Sequence, residues 1–139
     1  MKFKYSLLSE FDNLDEELDG VLINSENFGA LNLLQARYKE QVKTVYIDPP
    51  YNTGNDGFLY RDSFQHSSWL SFMYDRLAYA KELMSNKGVI FSSIDDNELK
   101  NFQDLYRLTN FNFIATLPTI MNLKGNNDEY AFAGTHEYK

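Results

Sequence analysis

The residues best suited to chemistry in this sequence form the run Asp48-Pro49-Pro50-Tyr51, which follows the largely apolar residues 42–47. Proline fixes φ and has no N–H group, so the backbone carbonyls of this run remain available as acceptors that point outward. A carboxylate and a carbonyl suit the two hydrogens of an exocyclic amine, which Asp48 and the Pro49 carbonyl could hold together. The Tyr51 ring offers a face on which a planar base can stack.

The same run has a purely structural interpretation, in which the two prolines end a strand and Tyr51 covers the edge of the core. Asp48 before the prolines, a buried strand upstream and Asn52-Thr53-Gly54 afterwards favour the chemical interpretation. The sequence therefore predicts a pocket for a base that carries an amine.

The elements that must position this pocket follow an α/β pattern, with short apolar runs alternating with amphipathic stretches from residue 21 onward. A mostly parallel sheet with flanking helices is the predicted fold. The sequence predicts helices over residues 30–38 and 69–84, and strands at 21–23, 42–48, from 89 onward, and within 111–120. The strand at 42–48 is apolar enough to be buried on both faces. Asp48 would then lie at the carboxyl edge of the sheet, where α/β folds bind ligands.

Two further patterns predict where helices end and begin. Asn86-Lys87-Gly88 is a stop signal for the long helix. Asp95 and Glu98 have the spacing of a capping box for the helix that follows. Alternatively, Asp95 and Asp96 could face the predicted pocket at the carboxyl edge of the sheet.

Charge and composition narrow the function classes. The net charge is −7, but residues 1–26 hold two basic against seven acidic residues, whereas the remainder holds 11 basic against 13 acidic residues. Residues 1–20 are therefore predicted to form an acidic, solvated lead-in that carries no chemistry, and residues 122–130 are predicted to form a polar loop. The nearly neutral remainder permits a base pocket but supplies no strongly basic surface for a nucleic-acid backbone.

Cysteine is absent and His66 and His136 are the only histidines, which excludes disulfides and thiolate sites and makes a metal cofactor improbable. No apolar stretch is long enough to span a bilayer, and the N-terminus has no apolar signal core. A cytoplasmic protein without membrane contact is the simplest expectation.

The order of these motifs resembles the modification (methyltransferase) subunits of type III restriction-modification systems and related β-class adenine-N6 DNA methyltransferases. The similarity covers residues 21–138. It is carried by the run from Val45 to Asp56, Phe58, Tyr60, His66-Ser67, Trp69-Leu70, Arg76-Leu77, Gly88-Val89-Ile90-Phe91, Asp95-Asp96 and Gly134-Thr135-His136-Glu137-Tyr138.

The resemblance implies a site-specific enzyme that flips an adenine out of DNA and methylates its N6 from S-adenosylmethionine. Asp48, Pro49, Pro50 and Tyr51 would be the catalytic residues, with Asp48 accepting a hydrogen bond from N6. It also implies a partial Rossmann-like methyltransferase fold. The cytosine-C5 class is disfavoured because it needs a cysteine, and glutamine-N5 protein methyltransferases carry Asn at the position of Asp48.

The resemblance adds weaker candidates. Asn52, Phe64 and His66 would contact the substrate, although packing or capping explains Phe64 and His66 equally well. Ser25-Glu26-Asn27 stands where the family shows Gly-Asp-Asn, so Glu26 and Asn27 are candidates for contacting the methyl donor. Helix capping by Asn27 is the alternative. Residues 126–129 are expected to form a solvated polar loop, with a loop that faces DNA as the alternative.

The donor motif of the family, a Phe-x-Gly-x-Gly turn, is missing, since no two of the seven glycines form Gly-x-Gly. Residues 21–139 are therefore expected to be the target-adenine part of a methyltransferase domain, truncated before the donor motif and inactive alone. Its expected partners are DNA, a missing C-terminal half, a restriction subunit and a second copy in a homodimer. The alternative is a noncatalytic remnant or an interaction and dimerisation module.

Overall fold

The computed structural model describes residues 2–54, 59, 61–120 and 136–138. Along the chain its elements are α1 (Lys2–Leu8), α2 (Leu14–Glu17), α3 (Asn27–Tyr38), β1 (Val42–Ile47), α4 (His66–Leu83), β2 (Met84–Ser92), α5 (Leu99–Leu108), β3 (Pro118–Ile120) and β4 (His136–Tyr138). The predicted loop at 126–129 lies outside the described residues.

A β-α-β unit forms the centre of the structure, because β1 and β2 pair in parallel and α4 connects them. The register places Val45 beside Ile90 and Ile47 beside Ser92. Both strands therefore reach their carboxyl ends at the same edge. The α/β class predicted from the sequence is confirmed for this unit.

The core is built mainly by α4 and α5. Apolar residues on the inner face of α4 recur every three or four positions, as a helix packed on one side requires. The Trp69 and Phe102 rings meet edge to face, with centroids 5.4 Å apart. The buried cluster consists of Trp69, Met73, Leu77, Ile94, Phe102 and Leu105. Burial of each large side chain of this kind stabilises a fold by about 1.5–3 kcal/mol, which makes α4 a rigid support for neighbouring loops.

Helix α3 also packs against α4, where the Phe28 ring meets the Tyr79 ring edge to face at 5.1 Å. The Gln35 amide donates a 2.8 Å hydrogen bond to the Tyr79 carbonyl. The helix predicted over 30–38 is thus confirmed, and it begins a few residues earlier than its apolar pattern suggested.

The strands β3 and β4 form a second pair, which is antiparallel and places Thr119 beside Glu137. Ile94 and Tyr138 exchange backbone hydrogen bonds of 3.0 and 2.7 Å, which link this pair to the chain just after β2. The strand predicted within 111–120 is therefore confirmed only for its last three residues.

The N-terminal segment that precedes α3 is largely exposed and contains two short helices. None of the described helices combines the length and apolar character needed to cross a membrane.

Two strand predictions are wrong. Residues 21–23 pair with no strand in the part of the chain that the structure describes, and Leu22 is 97% exposed. A strand needs a hydrogen-bonded neighbour, and apolar sequence alone does not supply one. β1 is not buried on both faces either, since Tyr46 is 57% exposed.

The helix stop predicted at Asn86-Lys87-Gly88 is also wrong, because α4 ends at Leu83 and these residues lie within β2. Gly88 has a different role there. A Cβ at this position would come within 2.9 Å of the Val42 carbonyl oxygen, next to the irregularity where the β1–β2 register shifts. The glycine permits that close backbone approach.

Candidate active site

The site begins at the carboxyl end of β1, where Asp48 follows Ile47 and is exposed while Pro49 is buried. The Ser93 N–H donates a 3.0 Å hydrogen bond to the Ile47 carbonyl, so the chain after β2 closes beside the chain after β1. Asp48 therefore lies at the edge of the parallel pair, where ligands of α/β folds bind.

The second proline is anchored to the core. The Trp69 Nε1–H donates a 2.8 Å hydrogen bond to the Pro50 carbonyl, and Trp69 is fully buried. The expectation that the carbonyls of this run point outward is wrong for Pro50, because a buried indole needs an acceptor and this carbonyl provides it. Tyr51 is half-buried and packs against the core cluster.

The residues after Tyr51 form a turn with backbone conformations that only certain residues adopt easily. Asn52 has φ of 61° and Gly54 has φ of 74°. Asparagine and glycine tolerate this left-handed region better than other residues do. The local sequence thus permits the chain to reverse directly after the Asp48-Pro49-Pro50-Tyr51 run.

A buried carboxylate, that of Asp62, holds this turn from inside. Its oxygens accept the N–H groups of Asn52 at 2.8 Å and Thr53 at 3.0 Å, together with the Thr53 hydroxyl. The Asp62 carbonyl accepts the Gly54 N–H at 2.8 Å. The bonds from Asn52 and Thr53 supply the partners that a buried carboxylate requires.

A second buried carboxylate, that of Glu98, lies beside the same turn. It contacts Asn52, His66 and Asn101 at 2.6–2.7 Å. The predicted capping box is therefore wrong, because Glu98 makes no capping bond through its side chain and Asp95 bonds instead to Asn97. The Glu98 carboxylate binds the side chains of Asn52 and His66, which come from distant segments of the chain, and does not cap the helix start.

Phe64 and His66 lie where the loop enters α4. The Phe64 N–H donates a 2.6 Å hydrogen bond to the Asn52 side-chain carbonyl, and its ring stacks on Phe72 with centroids 5.5 Å apart. The Arg61 guanidinium lies 4.5 Å from the Phe64 ring centroid. His66 is the first residue of α4, and Gln65 rather than His66 occupies the cap position. Substrate contact by Phe64, His66 and Asn52 stays a prediction.

Glu26 and Asn27 lie at the start of α3. Glu26 is the N-cap residue, and its carboxylate accepts the Gly29 N–H at 3.2 Å and binds Arg76 at 2.5 Å. The alternative of an Asn27 cap is wrong, since Asn27 is already helical. The Phe28 N–H, more than the Arg76 ion pair, lowers the pKa of Glu26 below its usual value.

Asp95 and Asp96 follow the end of β2. Burial raises the pKa of Asp95, against the opposing effect of its bonds to Asn97. The Tyr138 hydroxyl donates a 2.7 Å hydrogen bond to Asp96, and this bond raises the pKa of Tyr138. Asp96 thus ties the second sheet to the loop after β2, which is a structural role.

Reasoning from sequence missed Asp62 and Glu98 as parts of the site. Acidic residues are common partners of turn backbones, so an acid near Asn52-Thr53-Gly54 was a usable signal for Asp62. Glu98 gave no such signal, because Asn52 and His66 lie 46 and 32 residues away from it.

Comparison with known proteins gives a family match that includes the residues of this site. The sequence profile of a family described as DNA methylase matches residues 42–139. The Type III restriction-modification enzyme EcoPI Mod subunit of Escherichia phage P1 is 43% identical over 85% of this chain and 23% of its own length. The probable HindVI Mod subunit of Haemophilus influenzae is 41% identical over 86% of this chain and 17% of its own length.

A third relative, the Type II methyltransferase M.KpnI of Klebsiella pneumoniae, is 30% identical over 99% of this chain and 35% of its own length. The chain thus spans only 17–35% of the length of these three relatives.

Proposed function

This chain belongs to the DNA methylase family, and from that membership we propose that it supplies the target-adenine pocket of a site-specific adenine-N6 DNA methyltransferase. The observation that carries this proposal is the place of Asp48-Pro49-Pro50-Tyr51, at the carboxyl edge of the parallel pair with Asp48 exposed. The chain is similar to Mod subunits of type III restriction-modification enzymes, which favours a restriction-modification system as the setting.

In the proposed reaction the target adenine leaves the duplex, because N6 cannot be reached inside the base stack. The Asp48 carboxylate and the Pro49 carbonyl accept hydrogen bonds from the two N6 hydrogens. These bonds orient the amine so that its lone pair faces the incoming methyl group. The Tyr51 ring stacks on the base. In a direct displacement the methyl–sulfur bond of the donor would break as the bond to N6 forms, and N6 would lose one proton. Such a transfer needs no covalent enzyme intermediate, so a nucleophilic side chain is not required.

The rigid surroundings of Asp48 suit a reaction that depends on positioning. Trp69 holds the Pro50 carbonyl, and Asp62 holds the turn that follows Tyr51. Groups that are fixed before the substrate arrives need no rearrangement during the reaction, and this preorganisation is a main source of catalysis. The described hydrogen bonds therefore support a catalytic rather than a merely strand-ending role for this run.

DNA methylases in general use S-adenosylmethionine, which supplies an electrophilic methyl group when bound. The described residues do not fit a site for it. The Glu26 carboxylate already caps α3 and pairs with Arg76, and no Gly-x-Gly occurs in the sequence to allow the backbone to approach a ligand closely. We propose that a further part of a larger protein holds the donor, in a Rossmann-like domain of which β1, α4 and β2 are part.

We propose DNA as the substrate, with a restriction subunit and a second copy of the chain as further partners in the cytoplasm. The similarity to Mod subunits supports the restriction partner. The nearly neutral charge of residues 27–139 means that additional basic surface must contribute to DNA binding.

The proposal is tested with a chimera in which residues 42–139 replace the matching segment of the EcoPI Mod subunit, here called the EcoPI chimera. Incorporation of labelled methyl groups into adenine is measured. Asp48→Ala should lower the rate by about a hundredfold or more, because an aligned group at the reacting atom is lost. The fold should persist, since Asp48 is exposed.

The control is Asp12→Ala, which removes another exposed carboxylate. Because Asp12 lies outside residues 42–139, this variant is made in a longer chimera that also carries residues 1–41, and it is compared with that longer parent. It should leave the rate unchanged. An Asp48→Ala rate near that of the parent chimera would refute the assignment. A folded parent chimera without any transfer would favour the noncatalytic alternative.

A further inference from the structure

Glu98 is a fully buried carboxylate that occupies the position before α5 without capping that helix through its side chain. Its Oε1 accepts the Asn52 Nδ2–H at 2.6 Å and lies 2.7 Å from His66 Nδ1. Its Oε2 accepts the Asn101 Nδ2–H at 2.7 Å. One side chain thus contacts the turn after Tyr51, the start of α4 and the first turns of α5.

Burying a carboxylate is costly, and an apolar residue of similar size would fill the same space without that cost. What the carboxylate adds is direction, because each hydrogen bond fixes the orientation of its partner. The role of Glu98 therefore depends on the partners that it orients.

Asn52 is held at both ends of its side-chain amide. Its Nδ2–H donates to Glu98, and its Oδ1 accepts the Phe64 N–H at 2.6 Å. Rotating the amide would place a donor against the Phe64 N–H and an acceptor against a carboxylate. Glu98 thereby fixes the residue that directly follows Tyr51 and lies four positions after Asp48.

His66 is oriented by the same oxygen. An Nδ1–H donated to Glu98 satisfies both groups at 2.7 Å, whereas accepting from Asn101 would require a longer contact of 3.3 Å. A neutral ring in this tautomer carries its acceptor on Nε2. The His66 side chain as a whole is 68% exposed.

We propose that Glu98 is a positioning residue for the adenine pocket, acting through Asn52 on the loop that carries Asp48 and Tyr51, and through His66 on the tautomer of its ring. The inference rests on the proposed function, since the reaction it affects is methyl transfer at that pocket. Because Glu98 is fully buried, it would contact neither the base nor the methyl group in this proposal.

The kinetic test compares Glu98→Ala and Glu98→Gln in the EcoPI chimera. Loss of alignment near reacting atoms can lower a rate about a hundredfold, so Glu98→Ala should lower kcat by about that factor, with KM for DNA changed less than about threefold. Glu98→Gln keeps an oxygen towards Asn52 and His66, and a rotated Asn101 amide can accept its new N–H. It should restore kcat to within about fivefold of the parent.

Asn52→Gly removes the other partner of the Asn52–Glu98 hydrogen bond. It keeps the test informative if the Glu98→Ala variant does not fold. Glycine keeps the φ of 61° without strain and removes only the amide. It should lower kcat to a similar extent, and combining it with Glu98→Ala should add little, because residues that act through one contact are not additive. Independent, multiplying losses would overturn the proposal.

Thr109→Val is the structural control, because Thr109 is buried at the far end of α5 and its hydroxyl donates to the carbonyls of Leu105 and Tyr106. It should reduce thermal stability and leave kcat unchanged. A Glu98→Ala variant that keeps the parent kcat, or a Glu98→Gln variant as slow as Glu98→Ala, would overturn a positioning role.

Nitrogen NMR of the 139-residue chain separates this inference from the proposed function, since it needs no methyl transfer. With His136→Gln for assignment, the His66 ring should show protonated Nδ1 and bare Nε2 at alkaline pH, where an imidazole is neutral. Glu98→Gln should keep this pattern and Glu98→Ala should lose it. The opposite tautomer in the parent chain would refute the contact, whatever the activity of Asp48 variants.

Discussion

The Asn52 N–H donates a 2.8 Å hydrogen bond to the Asp62 carboxylate, which lies ten residues further along the chain and is almost fully buried. The Thr53 N–H reaches the other oxygen of that carboxylate at 3.0 Å. The Asp62 side chain therefore holds two successive backbone N–H groups of the turn that follows the predicted base pocket.

Asp62→Ala should destabilise the 139-residue chain by about 3 kcal/mol, because hydrogen bonds to a charged group contribute about 1.5–3 kcal/mol each and water can replace part of them at the exposed Thr53. Asp62→Asn keeps one acceptor oxygen and should cost about half as much. Urea unfolding gives both values. Amide exchange at Asn52 and Thr53 should accelerate in the alanine variant, and unchanged exchange there would contradict the role given to Asp62.

Tyr51 is predicted to act through its ring rather than through its hydroxyl. Stacking on an aromatic side chain is worth ~1–3 kcal/mol per base, so Tyr51→Ala in the EcoPI chimera should weaken capture of a flipped base by that amount. Tyr51→Phe should weaken it much less. Fluorescence of 2-aminopurine at the target position reports capture, and thermal unfolding controls for lost packing against the core. Equal losses in the two variants would assign the effect to the hydroxyl.

The 139-residue chain by itself should bind neither the methyl donor nor duplex DNA well. Close approach of the backbone to a donor needs a glycine-rich turn, and the sequence has no Gly-x-Gly. An acidic chain with a net charge of −7 also displaces few counterions from phosphates. Calorimetric titration with S-adenosylmethionine and a DNA-binding assay at physiological salt test the two parts. Micromolar donor binding would show that the donor site is present.

Glu26→Gln should lower the thermal unfolding midpoint at neutral pH, because the Phe28 N–H, then Arg76, favour the charged carboxylate in the folded state. A pKa that is lowered on folding contributes stability above the unfolded-state value. That stability is lost as the pH falls through the folded-state value. The difference between variant and parent should therefore shrink in acid.

Glu82→Gln provides the comparison for Glu26, since it removes one partner of an exposed ion pair with Lys39. Exposed pairs of this kind contribute little, so the midpoint should barely change. A Glu26→Gln difference that persisted unchanged at acidic pH would indicate an effect of shape rather than charge.

The apolar periodicity of α4 was readable from sequence because this helix buries one face, and burial imposes a repeat of three or four residues. β1 was also located, since its apolar residues end abruptly at Asp48. Residues 21–23 have similar composition but form no strand. Strand pairing depends on a neighbour elsewhere in the chain, which a local pattern does not contain.

The sequence by itself determined the candidate pocket, because Asp48-Pro49-Pro50-Tyr51 is contiguous and its chemistry follows from adjacent residues. Only the tertiary structure decided what supports it. Spacing assigned Glu98 to a helix cap, whereas folding brought it against Asn52 and His66. A buried carboxylate takes the partners that the packed chain brings to it, and those partners are set by long-range contacts rather than by neighbouring residues.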